Sequence, residues 1–312
     1  MALIAGLAAL LLFRMDWPRV ADMVMHLHPL SWLAALSVMA AQIFILAWRW
    51  KILCCDHAMT FPRSLNATLA ALLSNLLLIT SVSGVFVRIG LSVQHGISWV
   101  KASCAAIVDR LMTLFALVLL AAVLMPGLGQ FVDPQLYRTA AITLSVFVGI
   151  VVVLIPLFFG QKLQSFLSGN DKIAAVNDYI RVFLTNPSQI LSTVVASLIA
   201  QILYFVSVFI IARATGAEIT FPQLLTVLPV IALVASLPLS VGGWGIREGA
   251  FIYGLGLLGV PMEVAFLISV QIGLLSMLAV VVTAIPTLSL SAAGRSFLFK
   301  RRRLVPSVNY QR

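Results

Sequence analysis

Residues 237–249 read LPLSVGGWGIREG, and an earlier stretch, residues 78–90, repeats this pattern as LITSVSGVFVRIG. In each copy, small residues interrupt an apolar segment, and an arginine, Arg247 or Arg88, then stands near the start of the next apolar segment. The aligned copies are identical at Leu78/Leu237, Ser81/Ser240, Val82/Val241, Gly84/Gly243, Arg88/Arg247 and Gly90/Gly249. Hydrophobic composition alone does not supply matched serine, glycine and arginine. The chain is therefore interpreted as an internal repeat.

Composition assigns the chain to the polytopic membrane proteins. Of its 312 residues, 62% are hydrophobic and 10% are charged, whereas a soluble domain carries about 25% charged residues. The net charge is +10, and much of it lies in the segment 295–312. A basic segment beside an apolar span is typical of a cytoplasmic, lipid-facing end. A nucleic-acid site is not expected, because the chain offers no soluble basic domain to form one.

The fold class that we predict is an all-α polytopic membrane protein. A crossing takes about 20 mainly apolar residues. Apolar segments of crossing length, with a shorter first one, lie at 1–13, 30–48, 102–125, 139–160, 188–212 and 262–286. The segments 62–96 and 222–258 are each interrupted near the middle, and neither half is long enough to cross. We therefore predict about six transmembrane helices plus two re-entrant helical hairpins.

The order of these segments predicts an inverted repeat. Three spans separate the two hairpins, and an odd number of crossings reverses the direction of the chain. Short, Gly-interrupted segments in inverted repeats mark the binding site in many transporters. We predict one transmembrane domain over 1–312, divided into a first repeat at 30–160, an amphipathic cytoplasmic connector at 161–187, a second repeat at 188–286 and a basic cytoplasmic tail at 287–312. If each hairpin is instead a true crossing, the chain has eight spans, and the loops at 60–62 and 218–222 distinguish the two arrangements.

The distribution of basic residues predicts that both termini are cytoplasmic. Cytoplasmic loops of membrane proteins carry an excess of Lys and Arg. With the tail placed inside, the inner connections hold Arg49, Lys51, Arg63, Lys101, Lys162, Lys172 and Arg181. The outer connections hold Arg14, Arg19 and Arg213. We therefore expect a multi-pass protein of the cytoplasmic (inner) membrane.

The two arginines of the repeat are the strongest candidates for a binding function. A helix that restarts inside the membrane directs its free N–H groups and positive dipole end at the break. An arginine beside the restart adds a full charge and a planar fork that suits phosphate. Two such ends that meet from opposite faces form an anion-attracting chamber near the midplane. The candidate substrate-binding residues are Arg88, Arg247, Glu248, Gly84, Gly243, Ser81, Ser240, Asp109 and Arg110.

Two alternatives apply to these candidates. Each arginine can instead pair with a buried acid, Asp109 or Glu248, and only close the fold. The serines Ser81 and Ser240 can cap the broken helices rather than hold a headgroup.

The sequence lacks the signatures of the common enzyme classes. It contains no P-loop, no HExxH and no GxSxG motif, so we expect no catalytic residue and no enzymatic activity. The three cysteines include the adjacent Cys54 and Cys55 and form no CxxC motif. We therefore expect no metal site and no cofactor.

At these motifs the chain resembles the lysylphosphatidylglycerol synthase/flippase transmembrane-domain family. The resemblance rests on RW at 49–50, SGVFVR at 83–88, DRL at 109–111 and above all LPLSVGGWGIREG at 237–249. It covers nearly the whole chain, and the last copy keeps the family's proline-small-Gly-Gly-x-Gly-x-Arg-Glu pattern. In the family's synthases this domain precedes a soluble transferase domain. The present sequence ends at Arg312 without one, so synthase activity is not expected.

The resemblance implies a bacterial or archaeal membrane protein that moves an amphiphilic lipid between leaflets. Family members are attached to aminoacylated lipids, hopanoids or polyprenyl-linked glycans, and the resemblance does not choose among them. Our first hypothesis is a flippase for a phosphate-bearing lipid with an anionic or zwitterionic headgroup. The second is a lipid-binding partner of a lipid- or envelope-modifying enzyme, without transport of its own, and the weakest is a membrane enzyme. A second copy of the chain is a further candidate partner.

Overall fold

The computed structural model describes residues 29–78, 83–130, 171–236 and 245–290, together with several positions between 132 and 149. These residues form helices and turns, and no strand occurs among them. The helices are α1 (Pro29–Leu53), α2 (Phe61–Leu78), α3 (Ser83–Gln94), α4 (Trp99–Leu128), α5 (Asp171–Leu184), α6 (Pro187–Ala214), α7 (Phe221–Ser236), α8 (Ile246–Gly256) and α9 (Met262–Leu290). The prediction of an all-helical membrane protein is confirmed.

Four of these helices are long and apolar enough to cross a membrane. The candidate spans are Pro29–Leu53, Trp99–Leu124, Pro187–Ala214 and Met262–Ile285. They coincide with four of the segments expected from hydropathy and extend most of them by several residues. Large apolar side chains such as Leu30, Leu191 and Ile285 are more than half exposed on them, as expected of surfaces that face lipid. The expected spans at 1–13 and, in large part, at 139–160 lie outside the described residues, so the number six stays a prediction.

Local signals fix the ends of the long helices. The Ser98 side chain accepts a hydrogen bond from the Lys101 N–H at the start of α4, and Asn186 does the same for Gln189 at the start of α6. Both satisfy a donor that the first helical turn leaves free. α4 extends beyond the expected span at 102–125, because it continues through Pro126 to Leu128. A continued helix keeps most backbone groups paired where little water is available to do so.

Short helices occupy both interrupted segments. α2 packs against α3, and α7 packs against α8. The linking residues 79–82 and 237–244 lie outside the described residues. Each pair includes a close approach at a glycine. A Cβ on Gly84 would collide with the Ala71 carbonyl oxygen, and one on Gly254 would lie 2.5 Å from Ile231. Whether the pairs re-enter or cross, and whether the two halves are inverted, stays a prediction, as do the domain boundaries.

Two buried clusters hold the helices together. The larger joins α1, α6, α7, α8 and α9, with contributions from α2 and α4. The helices α1 and α6 pack against each other, and both carry fully or almost fully buried alanines, namely Ala35, Ala47, Ala196 and Ala200. Small side chains let helix backbones approach closely, which favours packing within a membrane. The smaller cluster surrounds Trp50 and Leu53 at the end of α1.

The connector helix is packed on protein rather than on lipid alone. Part of the amphipathic connector that we expected at 161–187 is helical and forms α5, Asp171–Leu184. Its apolar residues Tyr179, Ile180 and Phe183 are buried in the cluster around Trp50. The Tyr179 hydroxyl donates to the Leu53 carbonyl at 2.8 Å, and burial raises the pKa of this hydroxyl, which keeps it a donor. The spacing of apolar residues predicts the apolar face of α5, but it does not predict that the end of α1 covers this face.

Candidate functional site

One carboxylate joins three helices at the centre of the candidate site. Asp109 of α4 accepts from the Arg49 Nε of α1 at 2.9 Å. Its second oxygen lies 3.1 Å from an Arg88 terminal nitrogen on α3. Little of these side chains is exposed: 4% for Arg49, 13% for Arg88 and 11% for Asp109. One negative charge is therefore shared by two guanidinium groups in a place that water hardly reaches.

Arg49 is held by a full set of partners. Besides Asp109, its terminal nitrogens donate to Ser197 at 3.0 Å and to Thr113 at 2.9 Å. The whole residue is 3% exposed. We expected Arg49 to be a cytoplasmic anchor, and this interpretation misses its burial and its bond to Asp109. Its position in the RW pair at 49–50, one of the family motifs, was the available signal.

Arg88 is held less completely. One terminal nitrogen donates to Thr68 at 2.9 Å and to the Leu46 carbonyl at 3.3 Å. The guanidinium carbon lies 4.1 Å from the centre of the Trp50 ring, a cation–π contact that offsets part of the cost of burying the charge. The buried Nε of Arg88 has no hydrogen-bond partner. A buried donor without a partner is costly, so this nitrogen is the point at which the cluster is incomplete.

A polar cavity of about 270 Å³ opens beside this cluster. Four of the predicted binding residues line it, namely Gly84, Arg88, Asp109 and Arg110. Polar residues that the sequence analysis did not select also line it: Gln42, Arg49, Thr68, Asn75, Thr113 and Gln201. Gln42, Asn75 and Gln201 lie in apolar segments, where an amide side chain is unusual, and that was the signal for them.

Gly84 has a packing role in this site. Its N–H donates to the Asn75 side-chain oxygen at 2.7 Å, and its Cα packs against the Ala71 carbonyl. The atoms that approach Gly84 closely belong to Ala71 and Asn75 of α2, because the two short helices of this pair contact each other there.

Arg247 forms a separate cluster. Its Nε and a terminal nitrogen donate to Glu248 Oε1 at 3.0 and 2.7 Å. The other Glu248 oxygen accepts from the Gly245 N–H, which pairs a free donor at the start of α8. Ser269 of α9 donates weakly at 3.4 Å. A Cβ on Gly273 would lie 2.5 Å from the Arg247 guanidinium, so this glycine provides the space that the arginine occupies.

The acids that pair with the two repeat arginines lie on different helices: Asp109 of α4 pairs with Arg88, and Glu248 of α8 pairs with Arg247. Neither Arg247 nor Glu248 is among the residues that line the cavity at Arg88. Whether both arginines face one chamber stays a prediction, because the linking residues 79–82 and 237–244 lie outside the described residues. The repeat places Arg88 and Arg247 at equivalent positions, but the acids that pair with them do not stand at equivalent positions. Glu248 follows Arg247 directly, whereas Ile89 follows Arg88, and Arg88 therefore pairs with Asp109 on another helix.

Three of the predicted binding residues, Ser81, Ser240 and Gly243, lie outside the described residues. Within the described ranges, no three His, Cys, Asp or Glu side chains form a group that could hold a metal ion. That the protein uses no metal or cofactor stays a prediction.

A second cavity, of about 330 Å³, lies between α7 and α8. Apolar side chains, glycines and the exposed Tyr253 line it: Val132, Val227, Val230, Ile231, Val234, Gly249, Ala250, Tyr253, Gly254 and Leu257. None of the residues that line this second cavity is charged.

Comparison with known proteins identifies the family. Searches of curated proteins and of solved structures give no match. Residues 1–284 match the family described as the lysylphosphatidylglycerol synthase TM region. The match spans the four candidate membrane helices and both arginine clusters. The chain is therefore a member of the lysylphosphatidylglycerol synthase transmembrane-region family.

Proposed function

We propose that the protein moves an amphiphilic, phosphate-bearing lipid between the leaflets of the cytoplasmic membrane. The observation that carries this proposal is the polar cavity at Arg88, within a protein whose long helices are apolar enough to span a bilayer. Membership of the family supports a function connected with membrane lipids.

The chemistry of the cavity suits a phosphate headgroup. Arg49 and Arg88 line a cavity that also offers hydroxyl and amide groups. An arginine fork matches the oxygen geometry of phosphate and strengthens its hydrogen bonds through charge. Bilayer hydrocarbon offers a headgroup no such partners. A headgroup can therefore cross the membrane through the cavity while its tail stays in lipid. The polar side chains of the cavity replace part of the hydrogen bonds that the headgroup makes with water.

A leaflet assay with purified protein tests this function. Liposomes carry a fluorescent phospholipid, and an impermeant reductant bleaches only the outer leaflet. We expect the wild type to bring phospholipid from the inner to the outer leaflet, where the reductant bleaches it. The Arg88/Arg247 double alanine variant should do so more slowly. Arg181→Gln is the matched control, because Arg181 is exposed on α5. Equal rates for the wild type and the double variant would refute a transport mechanism that uses these two arginines.

A second candidate function is lipid binding without transport, in support of a lipid-modifying enzyme. The observation that favours it is that Arg88 and Arg247 are both paired with acids, as a fixed scaffold would require. It predicts no leaflet exchange by the isolated protein and phenotypes that depend on the partner enzyme. We also propose that the chain itself is not an enzyme and that both termini are cytoplasmic.

A further inference from the structure

We propose that the cavity at Arg88 selects headgroups of net negative charge, and that the headgroup takes the place of Asp109 on Arg88. This inference rests on the proposed function, because it names the class of lipid for the same site. It excludes cationic headgroups and disfavours zwitterionic ones.

Among the described side chains, the ion pairs of the cluster leave one positive charge in excess. Arg49 and Arg88 supply two positive charges, and Asp109 supplies one negative charge to both. The net charge of these three side chains is +1. A buried charge without a partner is unfavourable. An anion in the cavity relieves this cost, whereas a cationic group increases it.

Arg49 and Arg88 differ in how many of their hydrogen-bond donors are already used and in how exposed they are. Arg49 uses all three of its nitrogens on Asp109, Ser197 and Thr113. Arg88 keeps an unpaired Nε and is the more exposed of the two, with 13% against 4% of the side chain. Arg49 therefore acts as the positioning residue that holds Asp109, and Arg88 is the arginine with capacity for a ligand.

An anion at Arg88 competes with Asp109. The Arg88–Asp109 bond, at 3.1 Å, is longer than the contact of Arg49 with Asp109, at 2.8 Å. A phosphate oxygen that binds Arg88 replaces this longer bond, while Asp109 stays on Arg49. The carboxylate then repels the incoming anion and limits its affinity. Removal of the carboxylate charge is accordingly expected to strengthen anion binding, which a purely structural role for Asp109 does not predict.

The test measures binding, so that its result is separate from that of the transport assay. The full chain in detergent is titrated with phosphatidylglycerol, phosphatidylethanolamine and a cationic lysyl ester of phosphatidylglycerol, all with the same tails, and thermal stabilisation is recorded. Inorganic phosphate alone forms a further arm, which separates a lipid headgroup from a free phosphate as the ligand. We expect affinity in the order anionic, zwitterionic, cationic.

Substitutions at Arg88 and Asp109 are expected to change lipid binding in opposite directions. Arg88→Gln is expected to weaken phosphatidylglycerol binding about ten- to a hundredfold, the value of a charge-assisted hydrogen bond, and to abolish the preference. Asp109→Asn is expected to lower the basal melting temperature and yet enlarge the stabilisation by phosphatidylglycerol. Arg181→Gln and Glu218→Gln, both at exposed positions, are the controls.

Equal affinity for the three headgroups in the wild type would overturn the inference, and so would an unchanged preference in Arg88→Gln. If Asp109→Asn does not fold, the comparison of the wild type with Arg88→Gln decides alone. A headgroup preference without leaflet exchange would refute the proposed transport and leave this inference standing. Stabilisation by inorganic phosphate equal to that by phosphatidylglycerol would show that the lipid is not the ligand.

Discussion

At the scale of single residues, the account depends on how Asp109 divides one charge between two arginines. The carboxylate is 11% exposed and contacts Arg49 at 2.8 Å and Arg88 at 3.1 Å. In a low-dielectric site such contacts are strong, but the cost of removing the charges from water is also large. The cluster therefore specifies which helices meet more than it adds to net stability.

Asp109→Asn tests the importance of this charge for the fold. Removal of one partner leaves buried guanidinium groups uncompensated, which typically costs about 3–5 kcal/mol. We expect the unfolding midpoint of the purified protein to fall clearly in lipid-free detergent. Glu218→Gln is the matched control, because Glu218 is exposed and lies outside the described helices. A midpoint like that of the wild type would show that Asp109 does not hold the three helices together.

At the scale of helices, the two short pairs are the least ordinary feature of the fold. α2 and α3 meet where Gly84 packs on the Ala71 carbonyl and bonds to Asn75. The shape of this contact sets where α3 lies, and Arg88 stands four residues after Gly84, about one turn along the same helix. The position of Arg88 in the cavity therefore depends on a helix contact that only glycine allows.

Two glycines of α3 provide a matched test. Gly84→Ala places a methyl group against backbone atoms of α2, which cannot move aside easily, so we expect a loss of about 1–3 kcal/mol. Gly90→Ala meets nothing within 4 Å and should be neutral or stabilise the helix by about 0.5–1 kcal/mol. Unfolding midpoints of the two variants are the measurement. A Gly84→Ala variant as stable as Gly90→Ala would contradict the described contact.

The helices were more predictable than the site. Runs of apolar residues set the four long helices to within a few residues, because a crossing demands length and hydrophobicity. The repeat located Arg88 and Arg247, and polarity in an apolar segment identified Asp109. The partners across helices were not predictable, because periodicity says which face a residue occupies but not what that face contacts. The burial of Arg49 and its bond to Asp109 were missed for this reason.

At the scale of the whole molecule, orientation in the membrane is the main prediction. The inverted arrangement places the loop at 60–62 in the cytoplasm and the loop at 218–222 outside, whereas two true crossings place both in the cytoplasm. This difference follows from the count of spans between the loops. It decides whether the two arginine clusters are reached from opposite faces of the bilayer, as alternating access requires.

Single cysteines distinguish the two arrangements. Thr60 and Thr220 are both exposed, and each is replaced by cysteine in a background without Cys54, Cys55 and Cys104. We expect an impermeant maleimide added to intact cells to label Thr220→Cys and not Thr60→Cys. Lysed cells, in which both should react, are the control. Protection of both positions in intact cells would support eight crossings and refute the inverted hairpins.

The central claim is that a lipid headgroup occupies the cavity at Arg88, and lipid photocrosslinking from within that cavity tests it most directly. Gln201 lines the cavity and is replaced by a photoreactive diazirine amino acid, with the exposed Val230 of the apolar cavity as the comparison site. Mass spectrometry then identifies the lipid attached after illumination in membranes. We predict that a phosphate-bearing lipid attaches at position 201 through its headgroup, and that Arg88→Gln greatly reduces this adduct while the adduct at position 230 persists. Absence of a headgroup adduct at position 201, or an adduct that Arg88→Gln leaves unchanged, would contradict the account.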